Sequence, residues 1–430
     1  MKSLFNKYFD NVASMAKRYY TALRTSAKTL FKWLAYSCIC GGIIGVIGAL
    51  FHNLLTEATL YRQNNPWLLF FLPIAGVVIV FLYKLCGDTA AKGTNLVISA
   101  IHSNEKVPVR MAPLIIISTF LTHMFGGSAG REGAALQVGG SIGDFFAGIF
   151  KADEKDTRIL IMCGMSSCFS ALFGTPIAAA VFSMEVISVG IMHYSALVPC
   201  VVSALIANGI ASFMGIEGTH YSIGEVPSLS LINGGKMLII AVAFACASIL
   251  LCLALHKTSH LYQKFIKNEY IRIIIAGLLV IALRYICGTT DYLGAGTDVI
   301  AKSFVSSCAW YVFILKVIFT AVTLGGGFKG GEIVPTLFVG ATLGSFLAPI
   351  FGLPLALCAA CGMVSVFCGV TNCPLTSIII AVEMFGSDSL VFCALCIAIS
   401  YLLSGYFSLY STQKFVYSKY RPEFIDRDAH

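Results

Sequence analysis

Long apolar runs with very little charge constrain this chain more than any other feature of its sequence. Only 12% of the 430 residues are charged and 57% are hydrophobic, with a mean hydropathy of +0.84. A soluble domain carries about twice that charged fraction, whereas about 20 apolar residues in a helix span a bilayer. Runs that approach or exceed this length cover residues 33–51, 67–83, 237–255, 271–282 and 375–407. The pattern predicts an all-α polytopic membrane protein.

Glycine, proline and polar residues interrupt many of these runs. A helix that breaks within the membrane is tolerated only where protein or a cavity satisfies the freed backbone groups. We therefore expect tilted and partly broken helices.

Positive charge concentrates at both ends of the chain. Residues 1–32 form a basic amphipathic segment with seven Lys or Arg residues, and no small-residue cleavage site of a secretory signal follows it. The positive-inside rule predicts a cytoplasmic N-terminus, and the basic tail 413–430 is expected on the same side. The net charge of +8 is then explained by the orientation of the chain in the membrane and by contact of its basic ends with the lipid bilayer. No basic patch with interleaved aromatic residues indicates a nucleic-acid partner.

The cysteines give no sign of a disulfide framework or a metal site. Sixteen of them are scattered through the apolar runs, as is typical of small buried hydrophobes. Cys358 and Cys361 form a CxxC pair, but no second pair or histidine completes it. The apolar runs also lack an HExxH motif and paired aspartates. We expect a protein that is not an enzyme and that binds neither metal nor cofactor.

Two pairs of similar stretches, about 200 residues apart, indicate an internal duplication. FGTPIAAAVFSMEV is similar to VTNCPLTSIIIAVEM, and each places a proline nine residues before a glutamate: Pro176 before Glu185, and Pro374 before Glu383. LQVGGSIG, which begins at Leu136, is similar to LFVGATLG. The two offsets are 198 and 201 residues. Such repeats commonly build transporters whose substrate site lies at the repeat interface.

A glycine-rich segment precedes the second pair in each half: GGSAGREGAALQ (126–137) and GGGFKGGEIVP (325–335). Glycine lets an ion approach backbone amides without a Cβ in the way, and the free N–H groups of a helix start favour an anion. Alignment of the halves places Glu132 opposite Ile333. Two helix starts, one from each half, would form a dehydrated anion site. The alternative role of these glycines is close helix packing.

Glu132 is the strongest functional candidate, because a carboxylate inside a membrane is costly and marks a functional site. Its anion would compete for the amides that bind the substrate, and its protonation would release them. One side chain could therefore gate the site and carry a proton. The alternative is an ion pair with Arg131, which is disfavoured because adjacent helical residues do not face each other.

Two further carboxylates end apolar, helix-like runs. Glu185 and Glu383 are either proton stations or structural groups that cap nearby backbone or pair with Arg158 or Lys316. The structural role is favoured for both.

Three more residues also have alternative roles. His123 precedes a glycine turn, which favours a packed, hydrogen-bonded residue over a proton relay. Tyr410 either offers its hydroxyl to an anion or belongs to an interfacial aromatic belt. Lys329 either raises the local anion concentration at a vestibule or extends its ammonium to water.

The quoted stretches resemble the signature segments of CLC anion transporters and channels. GREGAALQVGGSIG is similar to GREGPxQxGGxxG, FGTPIAAAVFSME to FxAPxAGxxFxxE, and EIVPTLFVGATLG to GxFxPxLxxGAxxG. The resemblance covers residues 34–412 in order. It implies a CLC transmembrane domain over 33–412, with inverted repeat halves of about 33–215 and 236–412. It also implies a homodimer with one ion pathway per subunit, and a short tail, 413–430, without CBS domains.

The resemblance also implies the site residues. Glu132 matches the gating glutamate, Ile333 matches the residue whose backbone amide helps bind the anion, and Tyr410 falls where the family has its central tyrosine, in a helix near the chain end. The implied anion-binding residues are Gly130, Arg131, Gly133, Gly331, Glu332, Ile333, Val334, Tyr410, Thr94 and Asn95.

Departures from the family pattern are equally informative. The usual GSGIP segment is present only as AKGTNLVI (91–98), so Lys92, Thr94 and Asn95 are candidates for the place of its serine. The proline of GREGP is Ala134, and the usual inner proton glutamate is Val186. Together with GGGFKGGE, these changes resemble the fluoride-exporting branch of the family.

The resemblance therefore implies F⁻/H⁺ antiport that exports fluoride across a microbial inner membrane and confers fluoride resistance. The alternative is a chloride transporter, such as a Cl⁻/H⁺ exchanger, or a passive voltage-gated anion channel. Fluoride holds its water tightly, so its site needs strong donors, and a protonated Glu332 could supply one. Glu332, Lys329 and Glu185 are the candidates for selectivity or a proton path.

Overall fold

The computed structural model of the protein describes residues 2–87, 93–103 and 105–429. Within these ranges, sixteen α-helices and three short strands follow one another. The helices are α1 Lys2–Asn64, α2 Leu72–Cys86, α3 Thr94–Ser103, α4 Met111–Met124, α5 Glu132–Ile149, α6 Glu154–Phe173, α7 Pro176–Glu185, α8 Leu197–Phe213, α9 Leu231–Phe265, α10 Glu269–Cys287, α11 Thr297–Ser303, α12 Val312–Gly325, α13 Ile333–Phe351, α14 Leu355–Thr371, α15 Pro374–Phe385 and α16 Leu390–Leu403. The strands are β1 Ser188–Val189, β2 Lys414–Tyr417 and β3 Phe424–Asp428. Two 3-10 helices, Pro66–Phe71 and Tyr194–Ala196, precede α2 and α8.

The predicted all-α polytopic membrane fold is confirmed. Six helical segments among the described residues are long and apolar enough to cross a bilayer, and six shorter apolar helices of 10–17 residues accompany them. At 1.5 Å per residue, a helix of 10 residues covers about 15 Å, roughly half of the hydrocarbon core. Short helices of this kind are the broken elements that the interrupted apolar runs predict.

The helix α1 runs without a break from Lys2 to Asn64, across the boundary predicted at residue 32. Every side chain from 17 to 31 is exposed, and Lys32 pairs with Asp156 near the start of α6. The division into a basic segment, a transmembrane domain and a tail remains a prediction.

Matched glycine contacts confirm that the chain contains a structural repeat. A Cβ at Gly139 on α5 would overlap the carbonyl oxygen of Gly164 on α6, and a Cβ at Gly340 on α13 would overlap that of Gly362 on α14. The two pairs of positions differ by 201 and 198 residues, which are the offsets of the sequence repeat. In each half, therefore, the two central helices cross at a point where their backbones touch.

The carboxylates of Glu185 and Glu383 cap one another's helices across the repeat. Glu185, at the end of α7, accepts hydrogen bonds from the N–H groups of Leu375 and Thr376 at the start of α15, at 3.0 and 2.8 Å. Glu383 on α15 accepts two from the start of α7, both at 2.9 Å. The capping role is thus the one that the structure shows, and neither carboxylate pairs with Lys316.

The tail after α16 is fastened to the helices by one buried amide. Gln413 donates to the carbonyl oxygens of Val186 and Thr371 at 2.8 and 2.7 Å, and accepts from Asn372 and Ser408. Strand β2 then pairs with β1 and β3 in a three-stranded sheet of order β1-β2-β3. This sheet ties the tail to the end of α7.

Lys419 adds a second fastening, outside the membrane-spanning segments. Its ammonium donates to the carbonyl oxygen of Tyr401 at 2.9 Å and to Ser404 at 3.1 Å. Burial lowers the pKa of this lysine to about 8. The tail is therefore held at both ends of β2.

We expect Gly340→Ala to destabilise the protein strongly. The added methyl group would meet the backbone of Gly362, and overpacking of this kind typically costs about 1–3 kcal/mol, sometimes more. The measurement is the unfolding temperature of the purified protein in detergent. Gly209→Ala is the matched control, because Gly209 lies within α8 and an added Cβ there would have no atom within 4 Å apart from the backbone of its own helix and its chain neighbours. Equal unfolding temperatures for the two variants would contradict the assigned contact.

Candidate functional site

The two glycine-rich segments meet through a backbone bridge. The N–H of Gly130 donates to the carbonyl oxygen of Gly331 at 2.7 Å, and the N–H of Gly331 donates to that of Gly130 at 2.7 Å. Helix α5 begins two residues after Gly130, and α13 begins two residues after Gly331. The two helix starts predicted from the sequence are therefore brought together at one point.

Glycine is required at this junction by the close approach of the two backbones. A Cβ at Gly331 would lie 2.5 Å from the amide nitrogen of Gly133, and one at Gly133 would lie 3.0 Å from the Cα of Gly331. A Cβ at Gly330 would lie 2.5 Å from that of Ala129. The first N–H groups of each helix have no acceptor one turn earlier, so the junction presents unpaired donors from both halves.

The Glu132 side chain folds back onto the start of its own helix. It is 1% exposed, and its Oε2 accepts a hydrogen bond from the N–H of Arg131 at 3.1 Å. Its Oε1 lies 3.6 Å from Nε of Arg131. The ion pair that was disfavoured from the sequence is thus present. Arg131 is the N-cap residue, with φ −122° and ψ −20°, so the spacing rule for two helical residues does not apply to it.

Glu332 is the N-cap residue of α13, and its carboxyl group reaches across to α5. Its Oε2 would lie 2.8 Å from a Cβ at Gly133. That oxygen is buried and has no hydrogen-bond partner among the described residues. A polar atom buried without a partner is costly, which indicates that a proton or a ligand satisfies Glu332.

Two more buried polar atoms without partners lie around the junction. The hydroxyl of Tyr410, a residue only 1% exposed, has no partner in the described part of the chain, and Tyr410 lies within electrostatic range of both Glu332 and Glu132. The Oε1 of Gln137, one turn into α5, is also unpartnered. Unpaired polar atoms that cluster in a protein interior indicate a binding site.

Tyr410 does not lie in a helix, contrary to the position implied by the resemblance. The chain leaves α16 at Leu403, and Tyr410 follows in an irregular loop whose backbone is bonded to Ser408 and Gln413. The loop is fixed by the buried amide of Gln413 rather than by helical hydrogen bonds.

The degenerate GSGIP-like segment reaches the same junction. Thr94, the first residue of α3, accepts a hydrogen bond from Nε2 of Gln137 at 3.1 Å and donates to the carbonyl oxygen of Gly133 at 3.4 Å. Asn95 accepts from the hydroxyl of Thr412 at 3.1 Å. Lys92, the third candidate, lies outside the described residues.

Two cavities lie at opposite ends of the same helices. The Lys329 vestibule, of about 580 Å³, is lined by Tyr83 at the end of α2 and Arg272 near the start of α10, as well as by Lys329. The Arg62 vestibule, of about 680 Å³, is lined by Leu69 just before α2 and Arg284 near the end of α10, as well as by Arg62. The 15 residues of α2 rise about 22 Å, so the cavities open on opposite faces of the membrane region.

The glycine-rich segments connect these vestibules. Gly325, Gly326, Gly327 and Lys329 line the first, and Arg131 lines the second. The junction of Glu132 and Glu332 therefore lies between two cavities with basic walls. Lys329 is half-buried, with its ammonium 4.6 Å from the ring centre of Tyr83, as expected for a vestibule lysine.

The remaining candidates have defined partners or positions. His123 is buried, and its Nδ1 lies 2.9 Å from the carbonyl oxygen of Thr119, which agrees with the packed role. Ile333 and Val334, 1% and 3% exposed, form the first turn of α13 beside Glu332. The sequence predictions and the structure therefore place the same segments at the junction.

Residues 126–130 also fit the pattern G-x-S-x-G of serine hydrolases. In the structure, the hydroxyl of Ser128 lies 3.1 Å from that of Thr320, and its N–H donates to Thr323. Ser128 therefore has hydroxyl partners rather than the histidine that activates a nucleophile.

Three residues that line or support the site were missed from the sequence, Gln137, Arg62 and Gln413, and Lys316 was considered only as a partner of Glu185 or Glu383. Gln137 belongs to the GREGAALQVGGSIG motif, and a polar residue five positions after Glu132 was an available signal. Lys316 is completely buried and donates to the carbonyl oxygens of Tyr292 and Gly294 at 3.3 and 2.7 Å. Only the folded chain shows that it serves a loop instead of a carboxylate.

Comparisons with known proteins agree with this architecture. Residues 74–405 match the family model described as "Voltage gated chloride channel". The chain is 38% identical over 396 residues to a chloride/fluoride channel protein of Pseudomonas syringae pv. tomato, an alignment that covers 90% of this chain and 88% of the relative. It is 24% identical over 400 residues to an H⁺/Cl⁻ exchange transporter of Citrobacter koseri, with 85% and 83% coverage.

Solved structures give the same result for the fold. A CLC-type fluoride/proton antiporter superposes with a TM-score of 0.86 at 33% identity, covering 89% of this chain and 98% of that one. A slow cyanobacterial Cl⁻/H⁺ antiporter shares the fold, with a TM-score of 0.75 at 20% identity and coverage of 86% and 94%. From the family match and these relatives, the chain belongs to the CLC family of voltage gated chloride channels and related transporters.

Proposed function

We propose that this protein is a fluoride/proton antiporter that exports fluoride. The observation that carries the proposal is the junction of two helix starts with two buried carboxyl groups, Glu132 and Glu332, between two basic vestibules. A solved relative with 33% identity is a fluoride/proton antiporter, and a relative with 38% identity is named a chloride/fluoride channel protein.

The pathway runs from the Lys329 vestibule through the junction to the Arg62 vestibule. Arg62 lies in the last turn of α1. Because α1 starts in the cytoplasm and crosses the membrane, the Arg62 vestibule faces the outside and the Lys329 vestibule faces the inside. Lys329 and Arg272 then concentrate anions at the cytoplasmic entrance. Both termini lie in the cytoplasm, and the protein is a multi-pass homodimer of a microbial inner membrane.

Glu132 acts as gate and proton carrier. Its carboxylate occupies the N-terminal end of α5, where Oε2 accepts from the Arg131 N–H at 3.1 Å. A fluoride ion binds to the same backbone N–H groups, so the ion and the Glu132 carboxylate exclude one another. Protonation removes the charge from Glu132 and frees the amides. The junction therefore holds either the ionised carboxylate or a fluoride ion, and fluoride enters when Glu132 takes up a proton, which couples the two movements.

Glu332, together with the amides of Ile333 and Val334, supplies donors for a small, hard anion, and Gly331 holds them in place through its bridge to Gly130. Its unpartnered Oε2 lies against the start of α5, and a proton on it donates to fluoride. The hydroxyl of Tyr410 adds a second unpaired donor near both carboxyl groups. Gly130, Gly133, Thr94 and Asn95 shape the pocket, the last two in place of the missing serine.

Transport of chloride, by exchange with protons or through a channel, is the alternative. It is favoured by the name of the 38% identical relative, which includes both chloride and channel. An efflux assay with purified protein in liposomes distinguishes these functions. Ion-selective electrodes follow the release of fluoride and of chloride, and a pH electrode follows the external pH at the same time. We expect fast fluoride efflux coupled to proton uptake. Chloride efflux as fast as that of fluoride, or fluoride efflux without proton movement, would overturn the proposal.

We expect Glu132→Gln to abolish fluoride-driven proton movement, because the amide cannot bind and release a proton. In liposomes with an imposed fluoride gradient, external pH should then change no faster than in protein-free liposomes. Glu217→Gln is the control, because Glu217 is exposed in the loop after α8 and should couple normally. Proton movement at the wild-type rate in the Glu132 variant would refute its coupling role.

We expect Glu332→Ala to weaken fluoride transport more than chloride transport. The loss of one hydrogen bond from or to a charged group corresponds to roughly 10-fold or more in affinity. The measurement is the KM for fluoride in the same liposomes, alongside the chloride rate. Glu332→Gln, which keeps an N–H donor at this position, should lose less fluoride affinity than Glu332→Ala. Equal losses in both variants would show that donation from residue 332 is not involved.

A further inference from the structure

Arg62 carries a buried charge that forms no ion pair among the described residues. It lies in the last turn of α1, is 8% exposed and lines the Arg62 vestibule. Its Nη1 is buried without a hydrogen-bond partner within the described ranges. An arginine with this burial normally binds a carboxylate, a phosphate or another anion.

The loop that contains Gly294 packs closely against the guanidinium group of Arg62. Gly294 has a φ of +59°, and a Cβ there would lie 3.1 Å from Nη1 of Arg62. The carbonyl oxygen of Gly294 accepts a hydrogen bond from Lys316 at 2.7 Å, and its N–H donates to Gly127 of the first glycine-rich segment at 3.1 Å. The wall around Arg62 is therefore connected directly to the transport junction.

His123 supplies an unpaired acceptor in the same vestibule. Its Nδ1 lies 2.9 Å from the carbonyl oxygen of Thr119. A carbonyl oxygen only accepts, so Nδ1 carries the hydrogen and Nε2 of the neutral ring has a free lone pair. Nε2 is buried and has no partner in the described part of the chain, and His123 lies within electrostatic range of Arg62 and Arg131.

The charges that line this vestibule favour an anion beside Arg62. Arg62, Arg131 and Arg284 face Asp291 and Asp298. Arg131 lies beside Glu132 at 3.6 Å, and Asp298 accepts a hydrogen bond from Gln63 at 3.1 Å. The unpaired N–H of Arg62 is thus the donor that remains available to a mobile anion.

We propose that the Arg62 vestibule contains a halide site, in which Nη1 of Arg62 donates to the anion and Nε2 of His123 accepts from a water that the anion retains. This inference rests on the proposed function and adds to it a second station, outside the Glu132 junction. A halide that leaves the junction exchanges its amide donors for one arginine and partial hydration before it reaches bulk water.

Anomalous diffraction from crystals of the full chain grown with bromide tests the site. We expect a bromide peak within hydrogen-bond distance of Nη1 of Arg62, lost in Arg62→Gln and retained in Arg62→Lys, which keeps the charge. Arg24→Gln is the matched control, since Arg24 is exposed in the same helix and lines neither vestibule, and it should keep the peak. Absence of the peak in the wild type, or its persistence in Arg62→Gln, would overturn the inference.

Flux measurements separate failure of this site from failure of the proposed function. In liposomes that expose the Arg62 vestibule to fluoride, Arg62→Gln should raise the KM about tenfold, the effect of one lost charge-assisted hydrogen bond. Arg62→Lys and Arg24→Gln should stay near the wild-type value. Fluoride transport by the wild type with an unchanged KM in Arg62→Gln would exclude the site alone. Absence of fluoride transport in the wild type would refute the function, and the bromide peak would still decide whether the site exists.

Discussion

The structure depends on two backbone hydrogen bonds between Gly130 and Gly331. They join the starts of two helices that are 201 residues apart in the chain, and they satisfy backbone groups that would otherwise be buried without partners. Because neither segment carries a Cβ at the crossing, the amides of α5 and α13 come within reach of a single small ion. The carboxyl groups of Glu132 and Glu332 lie at this crossing because each begins or immediately precedes one of the two helices. The two carboxyl groups, the helix-start amides and the glycine-rich segments that reach both vestibules are thus positioned by the same contact.

Much of this arrangement could be predicted from the sequence, because the repeat preserves its register. Alignment of the two LxVG motifs placed Glu132 opposite Ile333, and those residues begin α5 and α13. The meeting of the helix starts followed from the repeat and from the glycine-rich segment in each half, and the cost of a carboxylate inside a membrane singled out Glu132. For Glu185 and Glu383, the periodicity of the apolar runs placed the carboxylates at helix ends but left open which partners they meet.

Other features depend on backbone geometry that residue spacing does not encode. Arg131 and Glu132 interact because Arg131 is a non-helical cap residue, a distinction of one position in the helix boundary. Tyr410 reaches the junction from a loop fastened by Gln413, and three of the four hydrogen bonds of this amide join it to segments more than 40 residues away in the chain. Arg62 is unpaired because none of the described groups that surround it in the folded chain offers an acceptor to its Nη1. An arginine among apolar residues near a helix end is, from sequence alone, indistinguishable from one that extends to water.

The exchanged caps of α7 and α15 have a consequence for the origin of the duplication. Each half provides the carboxylate that the other half's helix requires, so a single half by itself would leave one helix start and one acid unsatisfied. An ancestral gene that encoded one half would have needed a second copy inserted upside down in the same membrane. Fusion of the two copies then made the opposed pair permanent, and freed positions such as 132 and 333, once identical, to diverge into a proton-binding side chain on one side and an apolar one on the other.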